Sequence, residues 1–112
     1  MRYALYFSPD PASLLGDLAA GWIGRDAQSG KPVVHPDLDG LGSSELASIT
    51  GPARRYGFHA TLKAPFRLAD GARESDLVAA IEAFASQTAA FEIPSLVVGQ
   101  LDGFLALVPG RP

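Results

Sequence analysis

His59, Thr61 and Lys63 are the residues of this chain whose types and spacing point most directly to chemistry. They alternate along Arg55-Tyr56-Gly57-Phe58-His59-Ala60-Thr61-Leu62-Lys63-Ala64-Pro65-Phe66-Arg67-Leu68 with apolar or amphipathic residues at the even positions. A strand sends successive side chains to opposite faces. The alternation therefore predicts a core-facing side and, opposite it, a row of imidazole, hydroxyl and ammonium. Neighbours in such a row stand about 7 Å apart, two residues of strand rise, a span that one phosphate group bridges. An imidazole moves protons, while a hydroxyl and an ammonium stabilise anionic oxygen. Together they suit the binding and turnover of a phosphoester. Alternation by itself marks only a strand with one wet face. Charge adds to it. Residues 46–69 hold no Asp or Glu but carry Arg54, Arg55, Lys63 and Arg67, four of the nine basic residues in a chain of net charge −3. A positive island in an acidic protein points to an anionic ligand.

Other elements must position that strand. Residues 2–8 alternate Tyr3, Leu5 and Phe7 against Arg2, Ala4 and Tyr6, which predicts a first strand with Tyr6 among polar groups. Asp10-Pro11 reads as a cap and first-turn proline, followed by helical spacing of Leu14, Leu15, Leu18, Trp22 and Ile23 up to Gly24. Residues 25–42 form a connection longer than most, and so one with a function or mobility of its own. Ser43 or Ser44 caps a short helix through Ile49, which Gly51-Pro52 ends. After the central strand, Asp70-Gly71 turns the chain into a helix from Glu74 to about Thr88, with one apolar stripe through Leu77, Val78, Ile81, Phe84, Ala85 and Thr88. Residues 91–101 predict a strand interrupted near Pro94, and Asp102-Gly103 is a strong hairpin signal. The order is β-α-(short α)-β-α-β-β. It predicts an α+β lobe with a mostly antiparallel sheet and two packed helices.

The 112 residues predict one domain at most, with one core. No run of 18 apolar residues exists to span a membrane as a helix. The absence of cysteine removes disulfides and thiolate ligands, and a cytoplasmic location is the expectation. With His35 and His59 the only histidines, an all-protein zinc site is not expected, and no cofactor is expected. An acidic chain lacks the broad basic footprint of a duplex-DNA binder.

His59-Ala60-Thr61 on a strand, after an N-terminal strand and helix, resembles the first signature of the two-histidine (2H) phosphoesterase superfamily. The phrase Arg54-Arg55-Tyr56-Gly57-Phe58-His59-Ala60-Thr61-Leu62-Lys63-Ala64-Pro65-Phe66 is similar to the hallmark of a bacterial branch of it. That branch comprises phosphonate-metabolism proteins of unknown function, encoded beside carbon–phosphorus lyase genes. The opening Arg2-Tyr3-Ala4-Leu5-Tyr6-Phe7-Ser8-Pro9 and the closing Gly103-Phe104-Leu105-Ala106-Leu107-Val108-Pro109 are similar as well, so the resemblance runs through nearly all 112 residues. It implies a bilobal fold in which each lobe contributes one His-x-Thr/Ser to a shared cleft. One histidine acts as base and the other as acid on a small, usually cyclic phosphodiester, without metal. Carried over, His59 is one of the acid/base pair and Thr61 donates to a phosphate oxygen. Face and position add Lys63 and Tyr6 as substrate-binding residues, and the acid-free stretch adds Arg55 and Arg67.

The chain departs from that pattern in holding no second His-x-Thr. His35 sits in Val34-His35-Pro36 with no hydroxyl two residues on, and reads as a solvated loop histidine. The expectation is an N-terminal lobe, residues 1–112, of a longer protein whose C-terminal lobe completes the site in cis. A symmetric homodimer that pairs two copies of His59 is a lesser alternative. One histidine cannot be base and acid in the same step, so the isolated chain is expected to be inactive. Two other readings stand beside the phosphonate-linked phosphodiesterase. One is an RNA-end 2′,3′-cyclic phosphodiesterase or ligase. The other is a non-catalytic phosphate- or nucleotide-binding module, against which counts the assignment of Tyr56, Phe58 and Phe66 to the face opposite His59.

Overall fold

The computed structural model describes residues 1–110, which form two compact units, residues 1–68 and residues from 69 onward. The class is mixed α+β with small antiparallel sheets, and the elements follow the predicted order. One short helix is added. The sheet is not continuous: β1 (Tyr3–Phe7) pairs with β2 (Ala60–Phe66), and β3 (Leu96–Leu101) pairs separately with β4 (Phe104–Pro109).

In the first unit, α1 (Leu14–Ile23) begins three residues later than Asp10-Pro11 implies. Asp10 instead makes a turn, its carboxylate accepting from the Ala12 N–H at 2.9 Å. Ser13 is the N-cap, its hydroxyl accepting from the Gly16 N–H at 3.0 Å. Gly51-Pro52 does not simply end α2 (Ser43–Ile49). The proline occupies the first turn of a further helix, α3 (Gly51–Arg54), where its missing N–H costs nothing.

The core of this unit is small and lies where α1, α2 and α3 meet. Ile23, Leu46 and Thr50 are buried there. Arg54 holds the junction together. Its Nη1 donates to the carbonyl of Ala47 at 3.1 Å and to the Thr50 hydroxyl at 3.1 Å, and lies 3.5 Å from the Ile23 carbonyl. Carbonyls at helix C-terminal ends lack partners within their helix, so one guanidinium serves the ends of both α1 and α2. The Thr50 hydroxyl donates in turn to the Leu46 carbonyl at 2.8 Å.

The connection 25–42 is folded over its first part. Asp26 closes a tight loop, its carboxylate accepting from the Gln28 N–H at 2.9 Å and the Ser29 hydroxyl at 3.1 Å. The Gly30 N–H returns to the Asp26 carbonyl at 2.9 Å, and Arg25 bridges to Pro32.

The β1–β2 ladder pairs Tyr3 with Phe66, Leu5 with Lys63, Tyr6 with Thr61 and Phe7 with Ala60. The register shifts on either side of Leu5, where β2 carries an extra residue each time. Pro65 lies in the second of these gaps, where it has no N–H to lend the ladder. The central strand is thus shorter and more irregular than the alternation over 55–68 implies. Nor does its even face pack on a core: Leu62 is 71% exposed.

In the second unit, α4 (Glu74–Ser86) starts at Arg73, whose N–H donates to the Asp76 carboxylate at 2.8 Å. Its predicted stripe remains accessible, with Phe84 72% exposed. Periodicity identifies the face suited to burial, not whether an element covers it. The Asp102-Gly103 hairpin forms as expected. Both residues have positive φ, 41° and 86°, matching the right-handed strand twist, and the register runs from Leu101↔Phe104 to Leu96↔Pro109. The strand proposed over 91–101 is confined to Leu96–Leu101, beyond Pro94.

Two measurements check the supports of the first unit. Arg54→Met removes the guanidinium from three carbonyl or hydroxyl acceptors. It should lower stability to urea by about 1.5–3 kcal/mol, the worth of hydrogen bonds from a charged group. An unchanged urea midpoint would contradict that role. The Gln28 N–H, aided by Ser29 and Arg25, holds the Asp26 carboxyl below its ordinary value of 3.8. A depressed folded pKa means stabilisation that is complete above the unfolded value and is lost as pH falls through the folded one. An acid titration followed at the Gln28 amide should therefore show its midpoint below the ordinary aspartate value. A midpoint at or above that value would mean that the loop closure is absent.

Candidate functional site

His59 sits just before β2, half-buried, at the end of the turn that leaves α3. That turn is made by Gly57, whose N–H donates to the Ala53 carbonyl at 2.9 Å while its φ is +79°. Glycine is required there twice over. The φ is left-handed, and an added Cβ would lie 2.6 Å from the Ala27 Cβ. The turn directs the Gly57 carbonyl at Nδ1 of His59, 2.9 Å away. A carbonyl only accepts, so in the neutral ring Nδ1 carries the proton and Nε2 presents a bare lone pair. In this tautomer Nε2 is the ring nitrogen able to accept a proton.

Tyr6 of β1 stacks on the imidazole, with centroids 3.9 Å apart and planes 18° from parallel. Its cross-strand partner is Thr61. Tyr6 therefore links the two residues of the His-x-Thr pair. Tyr56 meets the imidazole edge-on at 6.4 Å, and the Arg55 guanidinium lies over the Tyr56 ring at 5.5 Å. The rings remain accessible, Tyr6 at 43% and Tyr56 at 53%.

The expected row of His59, Thr61 and Lys63 is broken. Lys63 pairs with Leu5, whose neighbour Tyr6 pairs with Thr61; adjacent residues on β1 face opposite sides, so Lys63 and Thr61 do too. The extra residue on β2 between them causes the reversal. Accordingly, the Lys63 ammonium lies 5.1 Å from the ring of Phe66, which pairs with Tyr3. Tyr56, assigned by alternation to the far face, is beside His59, because residues 55–59 form a turn rather than a strand. Arg67 is exposed beyond the end of β2, and no contact among the described residues brings it to His59. Arg54, counted in the basic island, is spent on the helix junction.

His35 is not merely solvated. Its Nδ1 lies 3.0 Å from the Trp22 carbonyl, and its ring packs against Gly24 at the end of α1. A cavity of about 130 Å³ in this unit is lined by Asp17, Arg25, Ala27, Val33 and Phe58, and not by Tyr6, His59 or Thr61. The half-buried His59 is not part of that cavity's lining. Among the described residues no group of three or more His, Asp or Glu is arranged to hold a metal ion.

The family described as "Protein of unknown function (DUF1045)" matches residues 61–112. The chain is 42% identical over 111 residues to "Ribose 1,5-bisphosphate phosphokinase PhnN" of Janthinobacterium sp. (strain Marseille), covering 99% of the chain and 24% of that relative. It is 43% identical over 109 residues to the protein of the same name from Laribacter hongkongensis (strain HLHK9), covering 97% of the chain and 26% of that relative. The chain thus spans about a quarter of the length of the curated relatives it matches. No solved structure matches.

Sequence reasoning missed Tyr56, Arg25 and the Gly57 carbonyl. The usable signal was glycine two residues before histidine, which marks a turn where period-2 reading stops. Gly57→Ala should destabilise the chain by at least about 1 kcal/mol, the scale of a left-handed non-glycine residue. It should also displace the His59 imidazole NMR signals while leaving those of His35 in place. Unchanged His59 signals would contradict the geometry.

Proposed function

We propose that this chain is one lobe of a metal-independent 2H-type phosphodiesterase acting on a small cyclic phosphoester in phosphonate metabolism. The observation that carries the reading is the Nδ1–H bond of His59 to Gly57, which leaves Nε2 free to accept or return a proton. Thr61, on the Tyr6 side of the ladder, offers a hydroxyl for a non-bridging oxygen. Arg55, near Tyr56, supplies positive charge for the phosphate.

The thirteen-residue phrase around His59 supports the assignment to the phosphonate-linked branch. The relatives' name, ribose 1,5-bisphosphate phosphokinase, is compatible with an association with sugar phosphates. The Gly30-Lys31-Pro32 stretch is not a phosphate loop of the Gly-x4-Gly-Lys-Ser/Thr kind. We therefore attribute to this chain the phosphoester chemistry of His59 and not nucleotide-dependent phosphotransfer.

A lone imidazole supplies one proton-transfer group. The reaction needs a second, contributed by another lobe with its own His-x-Thr/Ser. A phosphate- or nucleotide-binding module is the second reading. The exposed Tyr6 and Tyr56 rings beside His59 favour it more than strict alternation would.

Hydrolysis of a cyclic phosphodiester separates the two. In a longer chain supplying the second histidine motif, His59→Ala should lower kcat by about 10²–10⁴-fold. Thr61→Val should cost about 1.5–3 kcal/mol of transition-state binding, one hydrogen bond to a charged oxygen. The 112-residue chain alone should be nearly inactive. Full activity in His59→Ala would sink the catalytic reading and leave the binding module.

A further inference from the structure

Residues 25–32 fold beneath the turn that carries His59 and touch it at two points. Arg25, half-buried, directs Nη1 at the carbonyl of Arg55 at 3.1 Å and lies 3.4 Å from that of Arg54. These carbonyls end α3 and have no partner within the helix, so a guanidinium is a suited donor. Ala27 is the second point. Its Cβ fills the space that a side chain on Gly57 would need. The loop is held in shape by its own bonds, through the Asp26 carboxylate to Gln28 and Ser29 and through the Gly30 N–H.

Only Tyr56 separates these two points, and the Gly57 carbonyl that accepts from His59 follows directly after the second. We propose that Arg25 is a positioning residue for His59: it pins the end of α3 over Ala27, so that the Gly57 carbonyl faces Nδ1 and Nε2 is kept unprotonated for proton transfer. The assignment rests on His59 being a proton-transfer group. It makes residues 25–32 part of the site's support.

The test reads the imidazole directly. Long-range ¹H–¹⁵N NMR spectra of the whole chain, at a pH where both rings are neutral, report which nitrogen carries each proton. In the native chain His59 should show the proton on Nδ1. Arg25→Ala should reduce this to a mixture of the two tautomers. Arg25→Lys, which keeps the charge and one donor, should restore part of the Nδ1–H signal. His35, anchored on the Trp22 carbonyl, serves as internal reference and should keep its own pattern.

Ala27→Val crowds Gly57 without removing any bond of Arg25, and should produce the same mixture at His59. Where Arg25→Ala does not fold, Ala27→Val decides alone. A His59 ring that keeps its Nδ1 proton in every folded variant overturns the proposal. Because the readout is the tautomer and not turnover, this result stands or falls separately from the phosphodiesterase reading.

Discussion

A backbone carbonyl can only accept, and Gly57 aims its own at Nδ1 of His59 from 2.9 Å. The chemistry available to the imidazole follows from that contact, and much of the first unit serves to make it. The left-handed turn at Gly57 ends α3 and reverses the chain into β2. Ala27 closes beneath the glycine, and Tyr6 covers the ring from the neighbouring strand. A different φ at residue 57 would turn the carbonyl away, and a neutral imidazole in water is free to carry its proton on either nitrogen.

Positive charge in this chain divides by burial and geometry, not by sequence proximity. Arg54 and Arg55 are adjacent, yet one guanidinium satisfies the carbonyls at a helix junction while the other lies over an exposed tyrosine ring. Lys63 is directed to the other side of the ladder by the irregular register of β2. The acid-free stretch thus offers an incoming anion fewer cations near His59 than its composition implies. Under the proposed function, the hydroxyl of Thr61 and the imidazole would carry a larger share of a phosphate contact than a fully basic cleft would ask of them.

Element types were legible because they depend on local rules. The Asp-Gly hairpin and the 3.6-residue period of α4 act over a few residues and appear near their expected positions, whereas the cap of α2 is Gly42 and not Ser43 or Ser44. The register of β1 against β2 was not legible. It depends on where the ladder absorbs extra residues, and only the partner strand decides that. Reading period 2 through residues 55–59 failed for a related reason: alternation holds for extended backbone, and Gly57 makes a turn there. The importance of Arg25 was equally hidden, since its acceptors lie about thirty residues away. By contrast, His59 and Thr61 are singled out by their types and spacing, and the nearness of Tyr6 to His59 followed from reading the first strand by face.

The central claim is that the surface of His59 and Thr61 receives a phosphate group without help from a metal ion. It is tested most directly by titrating inorganic phosphate into the ¹⁵N-labelled chain with a chelator present, and following both residues by NMR. The account predicts saturable shifts at the His59 imidazole and the Thr61 amide, with weaker effects at Lys63 on the other face of the ladder. Shifts that map elsewhere, or that arise only when a divalent cation is added, would contradict it.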